Sequence, residues 1–253
     1  MPGDVILAAD RVSKLFHLRH NRNMALKTRF LALFNPRERE QVEEFWALRD
    51  VSLTIRRGEA VGIVGRNGCG KSTFLKLIAG LQRPTTGHLY VARDARIGTM
   101  IELGIGFHPE LTGRENLRLS TSIYGFSRKE IDAFYPRVVE YSGLEHFMDV
   151  PIKNYSSGMK MRLGFAIAAH LEADLLLLDE IFAVGDAEFQ KQCTETLEHL
   201  LRSGKTILFV SHAAALVRRI CTRVCVLDHG QVQFDGAVDA GLARYDELIA
   251  RGH

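Results

Sequence analysis

Long hydrophobic runs are what this 253-residue sequence most plainly lacks. No apolar stretch reaches the ~18–20 residues that cross a bilayer as a helix, so any passage through a membrane is expected to belong to another polypeptide. The opening residues, MPGDVILAAD, put no basic region ahead of an apolar core. A secretory signal is therefore not legible, and a cytosolic chain is expected. Cysteine is sparse. The four, at 69, 193, 221 and 225, do not make a disulfide framework in a chain of this length. Cys221 and Cys225 have no second pair or His cluster beside them, so they read as small buried residues rather than metal ligands. An excess of one charge is missing too. Lys and Arg number 33 against 30 Asp and Glu, a net +3, which is too weak to argue for nucleic acid. Repeats and low-complexity segments are absent, and the 46% hydrophobic content is that of an ordinary globular chain.

Against that background stands AVGIVGRNGCGKSTFLKLIAGL, residues 60–81. Ala60 to Val64 reads as a buried strand. Gly65, Asn67, Gly68, Cys69 and Gly70 form a turn whose glycines reach backbone angles closed to other residues, so successive N–H groups can point inward around an anion. From Lys71 to Leu81, the residues Phe74, Leu75, Ile78 and Leu81 recur at helical spacing. The start of that helix offers free N–H groups and a positive dipole end to the same anion. Lys71 adds a point charge, and Ser72 and Thr73 add hydroxyls. Gly-x-x-x-x-Gly-Lys-Ser between a strand and a helix is a phosphate-binding loop.

The rest of the chain reads coarsely as an α/β core with a helical insert. Residues 4–18 suggest a strand pair, or a strand and turn. Residues 19–45 turn basic, yet Leu26, Phe30, Leu33 and Phe34 sit at helical spacing before Pro36. That helix either packs on its own domain or docks on a membrane subunit or an anionic lipid surface. VSLTI at 51–55 returns to strand. Residues 107–173 read as helical, with a capping box of Ser127 and Glu130 opening a helix expected to run to about His146. LLLL at 175–178 has the continuous apolar character of a strand buried on both faces. Asp186 can cap a helix carrying Phe189, Cys193, Leu197, Leu200 and Leu201 on one face and ending near Gly204. TILFV at 206–210 is another buried strand, and residues 223–236 form a hairpin around Gly230.

Several groups fall where the phosphate loop needs them. Asp179 and Glu180 follow the four leucines directly, so a strand end delivers both carboxylates: one can hold magnesium through water, the other can polarise an attacking water. His212 follows TILFVS, beyond the C-terminal end of another strand, the edge where α/β sheets bind ligands. YSSGM at 155–159 puts Ser156, Ser157 and Gly158 at a helix start, a second anion cradle. One γ-phosphate needs only one cradle, which suggests that the second serves another copy's nucleotide.

In this order and spacing, Gly65 to Thr73, YSSGM, LLLLDE, VGD and VSH resemble the nucleotide-binding subunit of ABC transporters over nearly the whole chain. The resemblance implies an α/β fold: a phosphate-loop core with an antiparallel β subdomain and an inserted α-helical subdomain over 107–173. It implies ATP and Mg2+, with Lys71, Ser72 and Thr73 on phosphate and metal, Asp179 as the magnesium-associated acid, Glu180 as general base and His212 as the switch histidine. It places Ser156, Ser157 and Gly158 at the signature sequence that caps ATP on a second, head-to-tail copy, and Asp186 in the loop crossing that interface. Phe16 is the candidate for stacking on adenine. Two departures matter. The signature usually begins Leu-Ser-Gly-Gly-Gln, and Glu102 stands near the place of a usual Gln. Glu102 either accepts from metal-bound water or pairs with a base in the membrane subunit. Both departures look like ATPase subunits that export capsule, O-antigen or teichoic acid, as do FWALRDVSL at 45–53 and GFHPELTGREN at 106–116.

The expectation is thus a single cassette, with no carbohydrate-binding domain after it. It would work as a homodimer on the cytoplasmic face of the inner or plasma membrane, beside a separate multi-pass permease that makes the main contacts with the glycan. The rivals are an ATPase of another ABC transporter class, a soluble ABC ATPase acting on ribosomes or DNA, and a phosphotransferase.

Overall fold

The computed structural model describes residues 3–20, 41–100, 107–123, 125–171, 173–179, 187–211 and 213–251. Two sheets make its framework. In the first, β1 (Val5–His20) lies between β2 (Gln41–Arg56) and β4 (Thr86–Val91), antiparallel to both. Residues 5–18 are therefore part of one long strand. What looked like a turn is an irregularity in it: Arg11 has φ 46°, and the register slips between Asp10 and Ser13. The pairing of β1 with β2 runs on to His20 opposite Gln41, so both ends of the stretch expected as an insertion at 19–45 belong to strands. The helix expected around Leu26 to Phe34 lies outside the described residues.

The second sheet has the order β5-β6-β7-β3-β8-β9. Its strands β3 (Ala60–Val64), β5 (Ile97–Met100), β6 (Leu175–Leu178), β7 (Thr206–Val210) and β8 (Arg223–Asp228) are parallel, and β9 (Gln231–Gly236) turns back antiparallel through His229 and Gly230. Every residue of β3, β6 and β7 is buried. The alternation within them explains why these runs carry no polar face. Val61, Ile63, Leu175, Leu177, Leu208 and Val210 pack into the layer shared with the first sheet and α1 (Lys71–Ile78). Val64, Leu176, Leu178, Ile207 and Phe209 face the helices on the other side.

Those helices are α2 (Gly113–Ile123), α3 (Arg128–Ser142), α4 (Ser157–His170), α5 (Ala187–Arg202), α6 (Ala214–Ile220) and α7 (Val238–Arg251). The capping box of α3 is present: Glu130 accepts from the Ser127 N–H at 2.7 Å while Ser127 Oγ accepts from the Glu130 N–H. The helix stops at Ser142, short of His146, because Gly143 takes a left-handed conformation with φ 62° and caps it. Likewise α1 ends at Ile78, and Leu81, expected on its apolar face, is 53% exposed.

All four cysteines are buried and free. Burial pushes the thiols of Cys193, Cys221 and Cys225 up to about 12. An unfolded thiol ionises near ~8.5, so the folded state keeps protons that the unfolded state loses above that pH. The contribution of these thiols to stability is therefore complete below pH ~8.5 and is lost as pH rises toward 12. Native protein at pH 8 should react slowly with Ellman's reagent, and guanidinium-unfolded protein rapidly with four equivalents. Fast native labelling of three thiols would contradict their burial.

Candidate nucleotide site

The site is built on one edge of the parallel sheet. Register places Met100 beside Leu178 and Leu178 beside Phe209, and Ile63 beside Val210. The C-terminal ends of β5, β6, β7 and β3 therefore lie along a single edge. The loop 65–70 leaves β3 there and feeds α1. Gly70, its last residue, has φ 109°, and a Cβ on it would overlap the Ala47 carbonyl; a Cβ on Gly65 would overlap the Leu227 carbonyl. The loop can take this path only without side chains at those two points. Gly70 also offers no side-chain cap to α1, so the first N–H groups of the helix are left for an outside acceptor.

Lys71 is buried at 7% exposure. Its ammonium is folded into the loop and donates to Gly65 O at 2.7 Å and Arg66 O at 3.0 Å. A charge held this deep, with one N–H beyond those two bonds, is suited to an anion seated in the loop. Beside it, Ser72 Oγ donates to Asp179 Oδ2 at 3.4 Å. The hydroxyl at the start of α1 and the carboxylate at the end of β6 are thus brought together across 107 residues of chain. Among the described residues, no three His, Cys, Asp or Glu side chains gather as a metal cluster. One hydroxyl and one carboxylate fit magnesium, which keeps several waters and takes its other ligands from phosphates.

Cys69 turns its thiol into the core near Cys225 and donates its N–H to Arg66 O at 3.2 Å. The loop is braced from behind by a turn that sequence reasoning did not connect with it. Gly230 donates its N–H to Cys69 O at 3.0 Å and accepts from the Arg49 N–H at 2.8 Å, tying the loop to β2 through the tip of the β8–β9 hairpin. The hairpin itself was legible, but nothing in its sequence says what it packs against.

Phe16 is half-buried on β1, and the Lys14 ammonium lies 5.2 Å from its ring centroid. Directly opposite on β2 is Phe45, 44% exposed. The register slips next to this pair, because Lys14 meets Leu48 while Leu15 meets Trp46. That leaves Ala47 as an extra residue and turns Phe45 to the same side as Leu48. Leu48 and the Ala47 carbonyl both lie against Gly70, so Phe45 stands on the strand that covers the phosphate loop, and Phe16 on the strand beside it. The bulge is invisible to a period-two reading, and Phe45 went unnoticed for that reason.

Ser156 caps α4, its Oγ accepting from the Met159 N–H at 3.2 Å. Ser156 and Ser157 are exposed. Among the described residues, no hydrogen bond or ion pair joins them to the phosphate loop of the same chain. Glu102, Glu180, Asp186 and His212 lie outside the described residues. The strands that lead to three of them, β5, β6 and β7, end on the nucleotide edge, and α5 begins directly after Asp186.

The ABC transporter family model matches residues 48–183. This chain belongs to the ABC transporter family. It is an ATPase of the ATP-binding cassette type with an α/β nucleotide-binding core. It is 40% identical over 248 residues to an O-antigen export system ATP-binding protein, RfbB, of Klebsiella pneumoniae, covering 97% of this chain and 99% of that one. It is 43% identical to the ABC transporter protein AbcA of Aeromonas salmonicida, over 96% of this chain and 77% of AbcA. The teichoic acids export ATP-binding protein TagH of Listeria monocytogenes is 36% identical, over 98% of this chain and 72% of TagH. Among solved structures, the ATP binding subunit of an ABC transporter superposes with a TM-score of 0.74 at 26% identity, over 97% of this chain and 98% of that subunit. No helix among the described residues is long and apolar enough to cross a membrane.

Proposed function

We propose that this chain is the ATP-hydrolysing subunit of an exporter that moves a polysaccharide or lipid-linked glycan, of the O-antigen, capsule or teichoic acid class, across the cytoplasmic membrane. The observation that carries this reading is the end-to-end 40% identity with an O-antigen export ATP-binding protein, combined with a phosphate loop, hydroxyl and carboxylate assembled at one sheet edge. The chain works as a homodimer, peripheral on the cytoplasmic face, beside a separate multi-pass permease.

In this reading the loop amides and Lys71 hold the phosphates of ATP, and Phe16 stacks on the adenine. Magnesium, when bound beside Ser72, Asp179 and Glu102, neutralises charge on the terminal phosphates. Glu180 accepts the proton of the attacking water, and His212 hydrogen-bonds the γ-phosphate. Ser156, Ser157 and Gly158 of a second copy cap that phosphate, while Asp186 crosses the dimer. Closure on ATP and reopening after hydrolysis would then drive the permease. Phe16→Ala should weaken ATP binding about tenfold, since stacking on a base is worth ~1–3 kcal/mol, and leave kcat nearly unchanged. An unchanged affinity, read by calorimetry, would remove Phe16 from the base site.

The test of the function is to tag the chain, solubilise membranes mildly and identify what copurifies with ATPase activity. A multi-pass membrane protein in about equal amount supports the exporter. Recovery only from the soluble fraction, with ribosomes or nucleic acid, sinks it and leaves the ATPase chemistry standing.

A further inference from the structure

The segment that starts α4 opens with a tyrosine, and that tyrosine is turned inward. Tyr155 is 5% exposed. Its hydroxyl donates to Phe147 O at 2.6 Å, and its ring meets the Phe147 ring edge-on with centroids 6.4 Å apart. Burial pushes the phenol up to about 12, so it remains a donor at any physiological pH. Above it lies Gly113, the first residue of α2. A Cβ on Gly113 would overlap the Tyr155 hydroxyl oxygen and come within 3.3 Å of Cζ. The hydroxyl thus fills a slot between two segments that are far apart in sequence.

Those segments are zipped together on either side of it. Gly113 N–H donates to Val150 O at 3.2 Å and Arg114 N–H to Met148 O at 2.9 Å. In return Ile152 N–H donates to Leu111 O and Lys153 N–H to Pro109 O, both at 2.9 Å. Two ion pairs, Lys153 with Glu110 at 2.7 Å and Arg114 with Asp149 at 2.9 Å, flank the seam. The fully buried Asn116 holds the far end: its Oδ1 accepts from the His108 N–H at 2.6 Å, and its Nδ2 donates to the carbonyls of His108, Leu111 and Thr112. Segment 108–114 is therefore held by hydrogen bonds both to 148–153 and to Asn116. It also lies downstream of β5, which ends on the nucleotide edge of the sheet.

We propose that Tyr155 is a positioning residue whose hydroxyl, seated between Phe147 and Gly113, fixes the start of α4, and with it Ser156–Gly158, against the segment leading away from the nucleotide edge. The proposal rests on the reading that Ser156–Gly158 cap ATP on a second copy. A leucine here would fill part of the slot but donate nothing to Phe147.

The test compares steady-state hydrolysis by the full-length protein carrying Tyr155→Phe, Gly113→Ala or both, alongside ATP affinity and the unfolding midpoint. Tyr155→Phe should lower kcat about fivefold and, for the lost buried hydrogen bond, the unfolding midpoint by about 2–4 °C, with ATP affinity near the parent's where the variant is folded. Gly113→Ala should lose more, because its methyl displaces the hydroxyl. The double variant should recover activity relative to Gly113→Ala, since losing the hydroxyl makes room for the methyl. A parental kcat in Tyr155→Phe, or losses that simply multiply in the double variant, would overturn the proposal. Ser157→Trp serves as the control. Inactive Ser157→Trp beside fully active Tyr155→Phe defeats this proposal alone; fully active Ser157→Trp defeats the capping reading and this proposal with it.

Discussion

Glu180→Gln should bind ATP normally and hydrolyse it at less than about a hundredth of the parental rate, the scale of a lost general base. The geometry that supports this lies one residue upstream. Asp179 directly follows β6, its Oδ2 3.4 Å from Ser72 Oγ at the start of the phosphate loop's helix, and β6 is fully buried and paired with β5 and β7. Glu180 follows Asp179 directly in the sequence. Glutamine keeps the size and hydrogen-bonding reach of glutamate but cannot accept a proton near neutral pH. Binding, which the proposed function assigns to Lys71 and the loop amides, should therefore survive while the chemical step fails. With the reopening step blocked, an ATP-bound dimer should accumulate and elute early in size-exclusion chromatography. Turnover within about tenfold of the parent would show that another group accepts the proton.

The parts of the molecule legible in the sequence are those where local pattern and tertiary role coincide. LLLL at 175–178 and TILFV at 206–210 are apolar without alternation because both faces of the sheet are covered, and they are strands in the structure. The phosphate loop is legible because glycine is required there by backbone approach to Ala47 and Leu227, and few other uses need that spacing. What escaped depends on long-range packing. The bulge at Ala47 decides that Phe45 joins Phe16, yet it exists only as a slip in pairing between strands some thirty residues apart. The turn at His229 and Gly230 reads as any hairpin, and its bonds to Cys69 and Arg49 come from tertiary closure. Helix ends failed for a local reason: Leu81 extends an apolar period and the other helix is expected from the sequence to run to about His146, but Gly80 and Gly143, both with positive φ, stop the helices first.

Gly158→Trp should abolish hydrolysis while leaving both the fold and single-copy ATP binding intact, and the contrast between those effects carries the argument. Within its own chain Gly158 has room. A Cβ there would meet only Ser156 Oγ at 3.8 Å, an ordinary contact, and the residue lies in the first turn of α4 with its neighbours Ser156 and Ser157 exposed. A large side chain added at such a point costs the folded monomer little, of order 0.5 kcal/mol. The same side chain would block any anion from reaching the N–H groups at the start of α4. If those groups act on a nucleotide held by another copy, the loss appears only when two copies meet. A mixing experiment separates the two arrangements. Lys71→Ala disables the phosphate loop and leaves Gly158 intact; Gly158→Trp does the reverse. In a head-to-tail dimer each mixed pair regains one complete site, so an equal mixture should recover about a quarter of the parental sites. If the cap acted within one chain, every copy in the mixture would stay defective and the activity would remain at the level of the separate variants.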